Sequence, residues 1–333
     1  MKPTIKDVAR KANVSVATVS RVLNHQSGYS EETKQKVLQA IKEMGYQPNA
    51  IARGLINKRT QTIGVLFPKL SSMFSSQLLH GIEYTAHERD HSVVVCNTDK
   101  NGKRTVKYLQ VLREKQVDGI IFTSEVLTEE YFRVLTAMKI PVVLLSTRSE
   151  KYPFPHVKVD DKQAAYDATR YLIQRGHRKI AMISGDQTDP IAGKPRIEGY
   201  KEALAAYGIP FQENLLAFGS FGFHSGVMAM EQLLQSKVEF TAVFAASDEM
   251  AVGAMSAAFR HGIKVPDQLS VIGYDNLRLA EMTTPPLTTV AQPLFEMGKQ
   301  AAEMLLQMIE TKTEVPGRIL PHEIIERQSV ARV

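Results

Sequence analysis

The chain has 333 residues, 44% of them hydrophobic and 23% charged, with a net charge of +6 and one cysteine. Two or three domains with sizeable cores fit that length. The lone Cys96 excludes an intrachain disulfide framework and suits a reducing compartment. No apolar run reaches the roughly 18 residues of a membrane span, and MKPTIKDVARKA is no signal peptide, so a cytoplasmic protein is expected. The charge is lopsided: residues 1–60 hold 11 Lys/Arg against 4 Asp/Glu, and the remainder 30 against 31. A cationic module on a near-neutral body is the electrostatic footprint of nucleic-acid binding.

Three short helices are expected first. Thr4, with Asp7 three residues on, forms a weak capping box for a helix whose apolar face holds Val8 and Ala12. Ala12-Asn13-Val14 makes a turn, with Asn13 able to adopt a left-handed backbone. Ser15 caps a second helix that turns Val19, Val22 and Leu23 inward. Its other face shows Val16, Ala17, Thr18, Ser20 and Arg21, small and polar with one long cation. That face fits the major groove, and Arg21 is the residue type that bonds a guanine edge bidentately. The pair reads as a helix-turn-helix. Ser30 opens a third helix with Val37, Leu38 and Ile41 on its apolar face, and Gly45 stops it.

Residues 48–60, PNAIARGLINKRT, follow the headpiece. Asn49 caps about two helical turns, a length marginal by itself in water. One reading is a basic solvated tether. The other is an amphipathic hinge that pairs with its twin and wedges Leu55 into the minor groove.

From Gln61 the texture changes to short Val/Ile-rich runs separated by helical patterns of 10–15 residues. The runs are TIGVLF, SVVVCN, GIIFT, VVLLS and HVKVD, then KIAMIS, LLAF, AVFAA, SVIGYD and LTTVAQP. Such alternation indicates parallel sheets covered on both faces, and about ten strands suggest two doubly wound lobes. A helix over Pro293–Glu310 follows, and GRILPHEIIERQS reads as one or two edge strands.

Ligands of open parallel sheets bind beyond the carboxyl ends of the strands. The residues at those ends include Ser72, Phe74, Arg148, Asp160, Ser184, Phe221, Asp248, Asp275 and Gln292. Carboxylates and amides that grip hydroxyls, with aromatic planes beside them, suit a sugar or similar small polar ligand. No nucleophile elbow, dinucleotide fingerprint or phosphate loop occurs, so no catalytic residue is assigned. The vicinal Asp160-Asp161 is read as a lobe crossing. HEIIE at 322–326 has Glu326 where a zinc helix needs its second histidine, and neither metal nor cofactor is expected.

With TIKDVARKANVSVATVSRVLN, GYQPNAIARGL, IGVLFPKLSS, VDGIIF, the R-x-x-G-Y of 196–200, SDEMAVG and GYDN, the chain resembles the LacI/GalR family of bacterial transcription regulators. Within it, LSSMF, TDPI, GYKEAL and MTTPPLTTVAQP are most similar to the catabolite control protein branch of Gram-positive bacteria. The resemblance implies an α/β chain in three parts. A helix-turn-helix headpiece covers 1–47, a hinge helix 48–60, and a periplasmic-binding-protein-like core with three crossovers 61–333. Lobe one would take 61–160 and 291–322, lobe two 161–290. It further implies a homodimer on a pseudo-palindromic double-stranded operator, repressing carbohydrate genes under a sugar or sugar-phosphate effector. Thr4, Ser15, Val16, Ala17, Thr18, Ser20, Arg21, Asn24, Asn49, Ala52 and Leu55 would meet DNA. Arg196 and Asp275 would hold the effector, with Asp248 beside them. The catabolite branch binds a seryl-phosphorylated phosphocarrier protein through basic residues on the helix after its QP motif. Here that helix has Lys299 as its one cation, with Glu303 and Gln307 following. A phosphoserine needs a basic pair, so the small-molecule effector is the first expectation, the phosphocarrier the alternative, and a sugar-binding protein or enzyme without DNA function comes after both.

Overall fold

The computed structural model describes residues 3–23, 27–46, 59–99 and 104–333. Asn24, Asn49, Ala52 and Leu55, and with them the expected hinge helix, lie outside the described residues. The chain divides into two compact units at Gln61/Thr62.

In the first unit, helices α1 (Ile5–Ala12), α2 (Val16–Leu23) and α3 (Glu31–Met44) enclose a small core. Thr4 and Asp7 form the capping box of α1, and Asn13 ends it in the left-handed region at φ 51°. Ser30 accepts the Thr33 N–H at the start of α3, and Gly45, at φ 59°, closes it. Val8, Ala9, Ala12, Val19, Val22, Val37 and Ala40 fill the interior, with Ile41 and Met44 against it. Leu38 departs from the expectation, being 42% exposed. The inward stripe of α3 runs 37, 40, 41, 44, a spacing of three and four that leaves position 38 a third of a turn away.

The second unit alternates strand and helix. Its first lobe contains β1 (Thr62–Phe67), α4 (Met73–Glu88), β2 (Ser92–Asn97), α5 (Thr105–Glu114), β3 (Gly119–Thr123), α6 (Glu129–Met138), β4 (Val142–Leu145) and β5 (His156–Val159). Its second lobe follows with α7 (Asp161–Gln174), β6 (Ile180–Ser184), α8 (Gly193–Ala206), β7 (Leu216–Phe218), α9 (Phe223–Gln235), β8 (Ala242–Ala245), α10 (Asp248–Arg260), β9 (Ser270–Asp275), α11 (Leu279–Met282) and β10 (Thr288–Ala291). The chain then returns: α12 (Leu294–Thr311) packs on α4, and β11 (Arg318–Leu320) joins the first sheet. It crosses a third time to β12 (Glu323–Ile325), antiparallel to β10.

Each sheet has six strands among the described residues, ordered β11-β5-β4-β3-β1-β2 and β12-β10-β9-β8-β6-β7. β1, β3, β4, β6, β8 and β9 are buried on both faces, apart from Thr62 at the start of β1, which is why they read as unbroken apolar runs. The HEIIE motif does lie on a strand, β12.

Candidate functional site

The open face of α2 carries Val16, 41% exposed, with Ala17 and Arg21 also exposed. Thr18 and Ser20 are half-buried beside them. Ser15 Oγ accepts the Thr18 N–H at 3.0 Å and lies 2.9 Å from Thr18 Oγ1. The Thr4 hydroxyl donates to Asp7 Oδ2 at 2.6 Å. Thr4 and Ser15 therefore hold helix starts, while Val16, Ala17 and Arg21 project from a short rigid helix. An apolar surface and a guanidinium presented in this way match the edges of base pairs in a major groove.

The second site lies at the carboxyl ends of the second sheet. Arg196, on α8, is buried. Its Nε and Nη2 donate to Asp161 Oδ1 at 3.0 and 2.7 Å, and its Nη1 donates to the Ala246 carbonyl at 2.5 Å. The guanidinium lies 3.7 Å from the Tyr274 ring centroid and 5.8 Å from that of Phe221. Asp161 Oδ1 also accepts the Tyr274 hydroxyl at 3.1 Å, and Oδ2 pairs with Lys158 Nζ at 3.0 Å. Next to this group, Asp275 Oδ1 accepts the Gln292 amide at 2.7 Å. Ser184 Oγ, wholly buried at the end of β6, meets no hydrogen-bond partner among the described residues.

Burial would raise Asp161, but the Arg196 and Lys158 cations outweigh it and hold its carboxyl below the ordinary range. Asp275 is pushed well up by burial and by Asp248, with Arg196 opposing. Burial likewise raises Asp248 to about 7, against hydrogen bonds from Thr289 and Leu277. Residues held at positive φ end or follow strands of both sheets: Ser124 and Ser146 in the first, Phe221, Asp275 (117°) and Asn276 in the second. Strain of about 1–3 kcal/mol per such residue persists where surrounding structure enforces it, commonly at binding sites.

Of the expected effector residues, Arg196, Phe221, Asp275 and Gln292 come together. Asp160 does not: it is exposed and caps α7 by accepting the Gln163 N–H at 3.0 Å. Asp248 is corrected too. It is fully buried, with Oδ2 taking the Leu277 N–H at 2.7 Å and Oδ1 the Thr289 hydroxyl at 2.5 Å, so it shapes the wall behind Asp275. A Cβ on Gly273 would stand 2.3 Å from that Oδ1. Ser72 caps α4, Phe74 packs on the first-lobe core, and Arg148 is exposed and paired with Glu150 at 3.3 Å. The cluster also contains Lys158, Asp161 and Tyr274, which sequence reasoning left out. One signal was present: Lys158 interrupts an apolar strand, and a buried ammonium requires a carboxylate partner. From the facing lobe, Lys69 Nζ comes within 3.9 Å of where a Cβ on Gly222 would stand. The loops after β1 and β7, at the carboxyl ends of the two sheets, thus approach one another.

A helix-turn-helix headpiece followed by a two-lobed core with a buried polar cluster at its strand ends is the build of a ligand-responsive DNA-binding regulator. The chain belongs to the LacI family. Residues 4–49 match "Bacterial regulatory proteins, lacI family", and residues 60–327 match "Periplasmic binding proteins and sugar binding domain of LacI family". Catabolite control protein A of Priestia megaterium is 41% identical over 330 residues, covering 99% of both chains. The lac repressor dimer bound to operator and the anti-inducer ONPF has TM-score 0.91 at 28% identity, covering 99% of this chain and 100% of that one. A complex of the transcriptional regulator CelR with cellobiose has TM-score 0.75 at 33% identity, covering 98% and 99%. The chain is a DNA-binding transcriptional regulator with a small-molecule effector, not an enzyme. No helix among the described residues is long and apolar enough to cross a membrane.

Proposed function

We propose that this chain represses carbohydrate-utilisation genes in the cytoplasm, with Val16, Ala17 and Arg21 reading the operator. A sugar-type effector sits between the lobes against Arg196, Phe221, Asp275 and Gln292. The observation that carries this reading is the buried guanidinium near two aromatic rings, beside a carboxylate–amide pair at the strand ends. Effector binding there changes the lobe arrangement, and operator affinity follows through linkage.

Homodimerisation draws on apolar side chains exposed on three neighbouring helices: Met228 (72%) on α9, Phe259 (82%) on α10 and Met282 (72%) on α11. The phosphocarrier alternative finds less support. Lys299 on α12 sits 3.7 Å from Glu296 and 4.0 Å from Glu303, so its charge is already matched.

A thermal-shift screen of sugars and sugar phosphates, repeated with upstream DNA present, tests this function. A sugar that stabilises the chain and also shifts its gel-shift affinity for that DNA is the expected result. Failure of the chain to prefer its own promoter over random DNA at cellular ionic strength would overturn the reading.

A further inference from the structure

Lys158 turns the second-lobe wall from neutral to positive. The four donors on Asp161 leave its carboxylate already engaged on both oxygens: Arg196 Nε, Arg196 Nη2 and the Tyr274 hydroxyl on Oδ1, Lys158 Nζ on Oδ2. Both side chains of the Lys158–Asp161 pair are buried, at 8% and 7% exposure. Arg196 and Asp161 alone would cancel; with Lys158 the triad carries one net positive charge. Of the five N–H bonds of a guanidinium, three go to Asp161 and Ala246. The remaining hydrogen-bonding capacity of Arg196 is therefore donor only. The Tyr274 and Phe221 ring centroids lie 3.7 and 5.8 Å from it, and apolar surroundings strengthen the attraction for an incoming charge. Asp275, with one oxygen on Gln292, keeps its other oxygen for a ligand hydroxyl.

We propose that Lys158 is a specificity-determining residue of the cleft, and that the group received beside Arg196 is an anion, phosphate or carboxylate, carried on a hydroxyl-bearing molecule. The inference rests on the effector-cleft reading above and narrows its ligand class. Lys158 acts through Asp161: by occupying Oδ2 it removes the acceptor that a neutral sugar would use and leaves Arg196 only partly compensated. Burial, with Asp248 adding to it and Arg196 opposing, pushes the Asp275 carboxyl beside this group well up, toward its neutral form.

The test uses the full chain in calorimetric and thermal-shift titrations at constant ionic strength. The probes are inorganic phosphate, glucose with glucose 6-phosphate and gluconate, and ribose with ribose 5-phosphate. Phosphate and at least one charged sugar derivative are expected to bind, the derivative at least tenfold tighter than its neutral parent. Lys158→Met should cut anion affinity at least tenfold and shrink that preference. Lys158→Arg should keep both within about threefold, separating a charge effect from a packing defect. Lys158→Gln serves if the methionine variant does not fold. Phosphate binding that survives loss of the Lys158 charge would place the ion elsewhere, on the cationic headpiece, and overturn the proposal. So would a neutral sugar bound more tightly than its charged derivative. In that last case the effector cleft stands and only its anion preference falls. If no probe of either kind binds, the cleft reading falls with it.

Discussion

Asp160 and Asp161 are chemically identical neighbours with opposite surroundings. The first stands in solvent as a helix cap, and the second lies buried among Arg196, Lys158 and Tyr274. One step along the chain at a strand-to-helix junction turns the side chain by about 100°, enough to exchange water for the interior. The buried acids impose opposite pH dependences. Asp161 has its folded value lowered, so its contribution is present above the unfolded value near 3.9 and is lost as pH falls through the folded one. Asp248 is raised to about 7. Between roughly 4 and 7 the folded state keeps a proton that the unfolded chain has released, so stability falls as pH rises through that window. Asp248→Asn accepts from Leu277 and donates to Thr289 Oγ1 without charge. Urea unfolding at pH 5 and pH 7.5 should show it about 1–3 kcal/mol more stable than wild type at the higher pH and near parity at the lower. An unchanged pH slope would refute the assignment. On the DNA side, Arg21→Ala is expected to cost about 1–3 kcal/mol and relax preference at one base position, read by gel shifts on a substituted operator series. A uniform loss on all sequences would make Arg21 a phosphate contact instead.

The helices of this chain are held by their ends and by close crossings. Ser30 is the side-chain cap at the start of α3, accepting the Thr33 N–H at 3.2 Å. Ser30→Ala should lower headpiece stability by about 1 kcal/mol, visible as an earlier low-temperature transition in calorimetry. In the first lobe, α4 and α12 meet backbone to backbone. A Cβ on Gly81 would fall 2.0 Å from the Phe295 carbonyl oxygen, and one on Gly298 2.1 Å from that of Leu78. Neither neighbour is a flexible side-chain tip, so the helices must separate. Gly81→Ala is expected to destabilise the core by at least about 1–3 kcal/mol, measured by chemical denaturation. A neutral result would mean the two helices can slide apart freely.

Two units of unlike charge share the chain, and their roles divide accordingly. The excess of positive charge falls entirely in residues 1–60, so DNA affinity should drop steeply, by orders of magnitude, between 50 and 200 mM salt. A weak salt dependence in gel shifts would argue against a phosphate-gripping headpiece. Within the core, each crossing between lobes carries a donor bound to a second-lobe carboxylate. Lys158 pairs with Asp161, Gln292 with Asp275, and His322 Nε2 lies 3.0 Å from Asp167 Oδ2. Two of these three carboxylates belong to the proposed effector cluster. A ligand that competes for Asp275 thus acts directly on a bond at a crossing between the lobes, the differential contact that a conformational switch requires.

Local chemistry made the helix caps, the recognition face and most of the parallel strands legible in the amino-acid order. Caps act over three residues, and apolar periodicity reports which face is buried. Leu38 shows the margin of that reasoning, since a neighbour in the apolar pattern still falls outside the stripe. The effector cluster was only half legible. Strand ends announce polar residues, but not which of two adjacent aspartates turns inward, nor that Asp248 faces protein rather than ligand. Those choices depend on groups far apart in the chain, Lys158, Arg196 and Tyr274 around Asp161. Buried charge is tolerated only where such partners converge, and their convergence is a property of the packed lobes, not of any local run of residues.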